Sequence, residues 1–83
     1  RDTVELRVEA YQAKYVRSLP LHSSQKEIST TDEYSVFQYH LVPTFDFRQE
    51  ILSRGPAVEV LTPQWFRDEV IADIAEMAKN YGV

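Results

Sequence analysis

The side chains that could carry acid–base or metal chemistry are few and lie far apart in the sequence. The only histidines are His22 and His40, and no acidic residue near either gives a metal-binding spacing such as His-Glu-x-x-His. Asp46 and Glu50 are four residues apart, which is typical of two carboxylates on a solvated helix edge. These residues therefore predict neither a metal site nor a general base.

Nucleophiles and phosphate-binding loops have no better support in the sequence. Ser23 and Ser24 lack the Gly-x-Ser-x-Gly context of a nucleophile elbow. The chain has no cysteine, so disulfides, thiol catalysis and thiolate metal ligands are excluded. Gly55 and Gly82 are its only glycines, which are too few for a glycine-rich phosphate loop. We therefore expect no catalytic residue, no bound metal and no cofactor.

Two aromatic residues raise the question of nucleic-acid binding. Phe37 and Tyr39 alternate on a predicted strand, as the base-stacking aromatics of an RNA-recognition motif do. The preceding residues 33–35 read Glu-Tyr-Ser, without the basic residue and glycines of that motif. A net charge of −4 would also repel a phosphate backbone. We expect both aromatics to lie in the core, and we expect this chain alone not to bind duplex DNA.

The first half of the chain predicts a strand, a helix and two further strands. Residues 3–9 alternate between apolar and polar side chains, which is the period of a half-buried strand. Residues 11–19 change to a helical spacing, and Pro20 ends that helix. Residues 25–30 predict a weak edge strand, and residues 34–42 predict a central strand with large side chains on both faces.

The second half predicts a helix, a short strand and a long final helix. Thr44 or Asp46 caps the first of these helices, and Gly55 is expected to end it in the left-handed conformation. Glu50 and Arg54 are four residues apart, in the order that favours an exposed ion pair. Alternation after Pro56 predicts the strand, and Thr62 is the expected cap of a helix over residues 63–80. The final helix carries one apolar stripe: Phe66, Val70, Ile71, Ile74, Met77, Ala78 and Tyr81.

This element order predicts an α+β fold. The first six elements match the ferredoxin-like βαββαβ arrangement with an antiparallel sheet, and the last helix is an added C-terminal element. At 83 residues and 43% hydrophobic content, residues 1–83 are expected to form a single domain. The chain begins with Arg1 and enters a strand almost at once, so we expect it to be a C-terminal fragment of a longer protein.

Two runs of the sequence resemble the C-terminal extension, or WCX domain, of bacterial WYL-domain transcriptional regulators. Residues 19–25 read Leu-Pro-Leu-His-Ser-Ser-Gln, close to the Leu-His-Pro-Ser-Gln-like run of that extension, with Ser23 in place of proline. Residues 47–63 include Ile-Leu-Ser-Arg-Gly-Pro-Ala-Val-Glu-Val-Leu-Thr-Pro, similar to its second run. The resemblance covers nearly the whole chain. Its motifs mark turns and the ends of helices and strands more than they mark site residues.

The resemblance implies a regulatory and interaction domain without catalysis of its own. In such regulators a winged helix–turn–helix binds DNA and a WYL domain senses a ligand, while the ferredoxin-like extension supports dimerisation and the ligand response. The expected partners are the WYL domain of the same parent chain, a second copy in a homodimer, and a nucleic-acid or small-molecule effector acting through the parent. Such a protein is expected in the cytoplasm, without a membrane segment.

Two other functions remain open from the sequence. A free-standing small-molecule-binding domain of the amino-acid-sensor kind can share this fold. A small hydrolase of the acylphosphatase type can share it too, but residues 9–12 read Glu-Ala-Tyr-Gln, without the arginine and glycine of that enzyme's phosphate loop.

Two sets of residues are candidates for contacts with other molecules. Ligand or anion contacts are predicted for four residues in or beside helices and connectors: Arg17, His22, Arg48 and Arg54. An interface is predicted on the sheet face opposite the first two helices, along one strand: Val36, Gln38, His40 and Val42. The final helix could cover this face itself or be donated to a second copy.

Overall fold

The computed structural model describes residues 2–83, which form four strands and three α-helices. In chain order these are β1 (Asp2–Glu9), α1 (Ala10–Ser18), β2 (Lys26–Thr30), β3 (Tyr34–Leu41), α2 (Phe45–Leu52), β4 (Val58–Thr62) and α3 (Gln64–Asn80). A short 3-10 turn, Gly55–Ala57, precedes β4. The element order is the one that the hydrophobic periodicity predicts.

The strands form one antiparallel sheet in the order β2-β3-β1-β4. This order, with β1 and β3 in the centre, is that of a ferredoxin-like fold and confirms the α+β prediction. The predicted weak strand is indeed an edge, and its pairing with β3 shifts at Ile28. The other edge strand is β4, which pairs with β1 alone.

All three helices pack on the same face of the sheet. Alternate residues of the strands, including Leu6, Phe37 and Tyr39, share one core cluster with buried residues of every helix. The helical members of this core are Ala13, Val16, Phe47, Ile51, Phe66 and Val70. The final helix therefore does not cover the opposite face of its own sheet, which no other described element covers either.

The connection from α2 to β4 follows the predicted turn chemistry. Thr44 is the cap, because its Oγ1 accepts a hydrogen bond of 3.1 Å from the backbone N–H of Phe47. Gly55 adopts a φ of 58°, which confirms the left-handed residue, although α2 itself already ends at Leu52. The prediction that Thr62 caps α3 is wrong: Thr62 still pairs with β1, and Pro63 occupies the capping position without a side-chain bond.

Only the first half of α3 is buried. Phe66 and Val70 enter the core, whereas Ile71, Ile74 and Met77 are each about half exposed, at 49%, 52% and 50%. The predicted stripe is thus present, but the domain itself uses only its N-terminal part. Within residues 2–83, no helix has the length and apolar character needed to span a bilayer.

Candidate functional site

Arg17, a predicted ligand contact, instead joins α1 to the edge strand β2. Its Nε and Nη2 donate to the two carboxylate oxygens of Glu27 at 2.7 and 2.8 Å. Nη2 also donates to the hydroxyl of Ser35, the buried polar residue of β3, at 3.2 Å. Ser35 lies 2.6 Å from the same carboxylate. The guanidinium therefore belongs to a closed network that already satisfies its charge.

This network changes the acidity of Glu27. Hydrogen bonds from Arg17, and then from Ser35, stabilise the ionised carboxylate and lower its pKa to about 2. The carboxylate is thus ionised at any physiological pH, and the Arg17 charge remains neutralised.

Arg48 and Arg54, the other two predicted arginine contacts, also face carboxylates. Arg48 Nη1 donates to Glu69 of α3 at 3.0 Å, and its Nε lies 2.7 Å from Asp73 without the alignment of a hydrogen bond. Arg54 Nη1 lies 3.0 Å from Glu50, the ion pair predicted from their spacing. Arg48 therefore joins α2 to α3. Arg54, which follows α2, contacts Glu50 in the last turn of that helix. An incoming anion would have to compete with these partners.

Gln25, which sequence reasoning did not single out, is the centre of the hydrogen bonds where α1 meets the sheet. We call this part of the domain the α1 side. Gln25 Nε2 donates to the carbonyl of Val16 at 2.9 Å, and its Oε1 accepts from the backbone N–H of Leu21 at 3.0 Å. The same oxygen accepts from the hydroxyl of Tyr39 at 2.7 Å. Burial raises the pKa of Tyr39, against the opposing charge of Arg54, so the hydroxyl stays a donor. The sequence did contain a signal for this role, because Gln25 is the last residue of the run 19–25 that resembles the WCX extension.

His22 and His40 lie on one hollow of about 380 Å³, together with Asp46 and Glu50. His22 Nδ1 accepts a hydrogen bond from the backbone N–H of Ser24 at 3.1 Å. The Ser24 hydroxyl accepts one from the backbone N–H of His40 at 2.9 Å. The serine therefore ties the connector between α1 and β2 to the end of β3. Among residues 2–83, no group of three histidines or acids is placed to hold a metal ion.

The predicted interface on the open sheet face is largely polar. Gln38 donates to Glu5 at 3.1 Å, and the Thr3 hydroxyl lies 3.3 Å from His40 Nδ1. Arg7 pairs with Glu9 and lies 4.5 Å from the ring centroid of Tyr34. Val36 is half-buried among these groups, and Val42 lies beyond β3 and is 62% exposed. The structure brings Val36, Gln38 and His40 onto one face, but Val42 is not part of the strand.

An apolar depression lies elsewhere, between α3 and the end of α2. We call it the α3 groove; it has a volume of about 530 Å³. Its α3 wall contains Val70, Ile71, Ile74 and Met77, and its other wall contains Ile51, Leu52, Pro56, Val58 and Val60. Sequence reasoning identified the stripe that forms the first wall but missed the groove, because the second wall comes from distant positions.

One ion pair closes the β4 end of the α3 groove. Arg67 Nη1 donates to the carbonyl of Val60 at 2.6 Å and to the carboxylate of Glu59 at 2.8 Å. The polar groups of this region are thus paired with each other, and the rest of the groove presents hydrocarbon. Such a surface can bind apolar groups, but it offers no reacting atoms.

Comparison with known protein families matches nearly the whole chain. The family model described as WCX domain matches residues 1–78, nearly the whole chain. A comparison with curated proteins finds no match.

Proposed function

The chain belongs to the WCX domain family, and on this premise we propose that it is the regulatory and interaction module of a WYL-type transcriptional regulator. The family is associated with WYL regulators. In this role the domain supports dimerisation of the parent protein and its response to an effector, without catalysing a reaction. Its partners are the WYL domain of the parent chain and a second copy of itself.

The exposed half of the α3 apolar stripe carries this proposal. Soluble domains rarely leave a contiguous row of large apolar side chains unused, because water exposure of such a patch is unfavourable. Here Ile71, Ile74 and Met77 line the α3 groove from one side while remaining about half exposed. A surface of this kind suits contact with protein better than chemistry on a substrate.

The internal pairing of charges also favours an interaction role over phosphate binding. Three of the four predicted ligand residues, Arg17, Arg48 and Arg54, have carboxylate partners. Among the ion pairs of residues 2–83, His22 has no part, so it is the predicted contact that an effector could reach without displacing an ion partner. Any effector contact at the arginines requires rearrangement of these pairs.

One observation favours a second function, a small-molecule-binding domain. The α3 groove, at about 530 Å³, falls within the range of roughly 300–1,000 Å³ that is usual for ligand pockets. An apolar ligand seated there would contact α3 and α2 together. In a regulator, such a ligand could act as the effector of the parent protein.

The role in a regulator is tested with the gene and its product. We expect the reading frame that encodes this chain to place a helix–turn–helix and a WYL domain upstream of it. We also expect the full-length product to retard its operator in a gel-shift assay, while this chain alone does not at near-physiological salt, because its net charge is −4. Sequence-specific retardation by the chain alone, or an upstream region without those domains, would overturn the proposal.

A further inference from the structure

The α3 groove points to a specific partner: we propose that it receives the C-terminal half of α3 from a second copy of this chain. The two α3 helices lie antiparallel, and they cross near Ile74 on a two-fold axis. The proposal rests on the dimerisation part of the proposed function and names the surface that performs it. This surface differs from the open sheet face that carries Val36 and His40.

The position of the exposed side chains on α3 defines the contact. Residues three or four apart share a helix face, so Ile71, Ile74 and Ala78 form one continuous row beside Met77. Phe66 and Val70, one turn earlier, already point into the core of their own copy. The first half of the helix is therefore anchored in the core of its own copy, and the second half is exposed to solvent. The short side chains of Ala75 and Ala78 allow a second helix to approach closely.

A two-fold arrangement fills both grooves at once. In an isologous interface the same patch serves both copies, so the α3 that fills one groove also offers its own groove to the partner. Antiparallel crossing at Ile74 sets Ile71 of each copy against Met77 of the other. Each α3 also covers the second wall of the opposite groove, where Ile51 and Pro56 lie. Apolar side chains then meet apolar side chains in the middle of the contact, and the ion pair of Arg67 with Glu59 lies at its β4 end.

Charges on one flank of α3 agree with the antiparallel direction. Asp68 and Lys79 lie on the same side of the helix, at opposite ends of the exposed row. Antiparallel crossing at Ile74 brings Asp68 of each copy close to Lys79 of the other, which makes two symmetric attractions. In a parallel pair the two aspartates would approach each other instead. Among residues 2–83, Lys79 has an exposed ion pair with Glu76, and Asp68 accepts a hydrogen bond from Gln64 on the surface, so both contacts are weakly held.

The spread of apolar side chains over several elements favours a second copy over a small ligand. A specific interface covers about 800 Å² on each partner, so it draws on more of the domain than one row of side chains. The two-fold arrangement reaches a larger area because the groove wall formed by Leu52, Pro56 and Val58 contributes on both sides. A small apolar molecule would fill the groove but leave the outward side of Ile71 and Ala75 in water.

The test is sedimentation equilibrium of this chain from low micromolar to millimolar concentration. We expect a monomer–dimer equilibrium. Ile74→Glu should raise the dissociation constant at least about tenfold, because it places two unpaired carboxylates at the centre of the contact. Since Ile74 is about half exposed, we expect the variant to keep its fold, which circular dichroism checks. The matched control is Val36→Glu with Val42→Glu on the sheet face, which should leave the dimer intact.

A charge exchange tests the direction of the helices without touching the apolar contact. Asp68→Lys and Lys79→Asp should each weaken the dimer, and the double exchange should restore it. A dimer that survives Ile74→Glu but dissociates in the Val36→Glu, Val42→Glu variant would overturn the α3 groove as interface and leave dimerisation standing. A monomer at every concentration would overturn this inference, whereas the operator assay of the full-length product still decides the regulatory role. A monomer whose groove binds an apolar fluorescent dye, with binding lost in Ile74→Glu, would assign the groove to a small ligand.

Discussion

Different interactions hold the two sides of the helical layer to the rest of the domain. On the α1 side, directional bonds join the helix to the sheet: Gln25 contacts Val16 and Tyr39, and Arg17 contacts Glu27. On the α3 side, the junction is mainly hydrocarbon, with Phe66 stacked on Phe47 at 6.0 Å between ring centroids. These bonds hold the first side to the sheet, whereas the second side leaves the apolar α3 groove open.

This difference indicates which side can change its contacts. Buried polar groups need particular partners, so a satisfied network fixes one geometry and has nothing left for another molecule. Apolar packing is not directional, so a helix can bury half of its stripe internally and the other half against a partner. The α1 side therefore maintains the fold, and the α3 side offers contact. The predictions below test this division, from the largest expected effect to the smallest.

Phe66→Ala should have the largest effect, because it removes the anchor of α3. Phe66 is fully buried and touches both Phe47 and Trp65, so truncation should cost about 3–5 kcal/mol of unfolding free energy. Urea denaturation followed by circular dichroism measures it. Ile74→Ala is the matched control in the same helix and should cost less than about 1 kcal/mol at protein concentrations that keep the chain monomeric. Equal losses in the two variants would contradict the division of α3 into a buried and an exposed half.

Gln25→Ala should have the second-largest effect on unfolding free energy, because it removes the central hydrogen bonds of the α1 side. The change leaves the Tyr39 hydroxyl, the Val16 carbonyl and the Leu21 N–H without their partner, at a cost of about 2 kcal/mol. Tyr39→Phe removes one of those groups together with its need for a partner, so it should cost less. The double variant then measures their coupling by urea denaturation. Additive losses would mean that the hydrogen bond between Gln25 and Tyr39 contributes nothing.

The smallest effect is expected from Glu27, and it depends on pH. The folded pKa of about 2 lies below the ordinary value of 4.5, so the ionised carboxylate stabilises the fold above that value. This contribution should disappear as the pH falls from about 4.5 to about 2. Because Glu27 and Arg17 both keep solvent contact, we expect a fraction of 1 kcal/mol.

Urea midpoints of the wild type and Glu27→Gln, measured across that pH range, check this prediction. The wild type should be the more stable protein near neutral pH, and the two midpoints should converge in acid. A constant difference would mean that the network with Arg17 and Ser35 does not depend on the charge of Glu27.

Local patterns predicted what depends on near neighbours. Alternation gave the four strands, the spacing of Glu50 and Arg54 gave their ion pair, and Gly55 gave the left-handed turn. The partners of Arg17 and Arg48 are ten or more residues away, so spacing alone could not show that their charges are neutralised. For the same reason these two were expected at a ligand surface, and that expectation is still untested.

The α3 stripe shows a second limit of sequence reasoning. Periodicity identified Phe66, Val70, Ile74 and Met77 as one face, but it contains no information on how far β4 and α2 extend beneath the helix. Strand β4 has five residues and α3 has seventeen, so the sheet ends before the helix does. The role of Gln25 was missed because a polar residue in a connector gives no periodic signal, although it lies in the first family-like run.

The Arg67 side chain, which closes one end of the α3 groove, also guards the sheet against uncontrolled growth. An edge strand presents free backbone groups that can pair with the strand of another molecule and start aggregation. Arg67 occupies the carbonyl of Val60 and lays a charged group across β4, so an arriving strand must first displace a guanidinium. In the dimer that we propose, two copies would therefore meet through the side chains of α3 without pairing their edge strands.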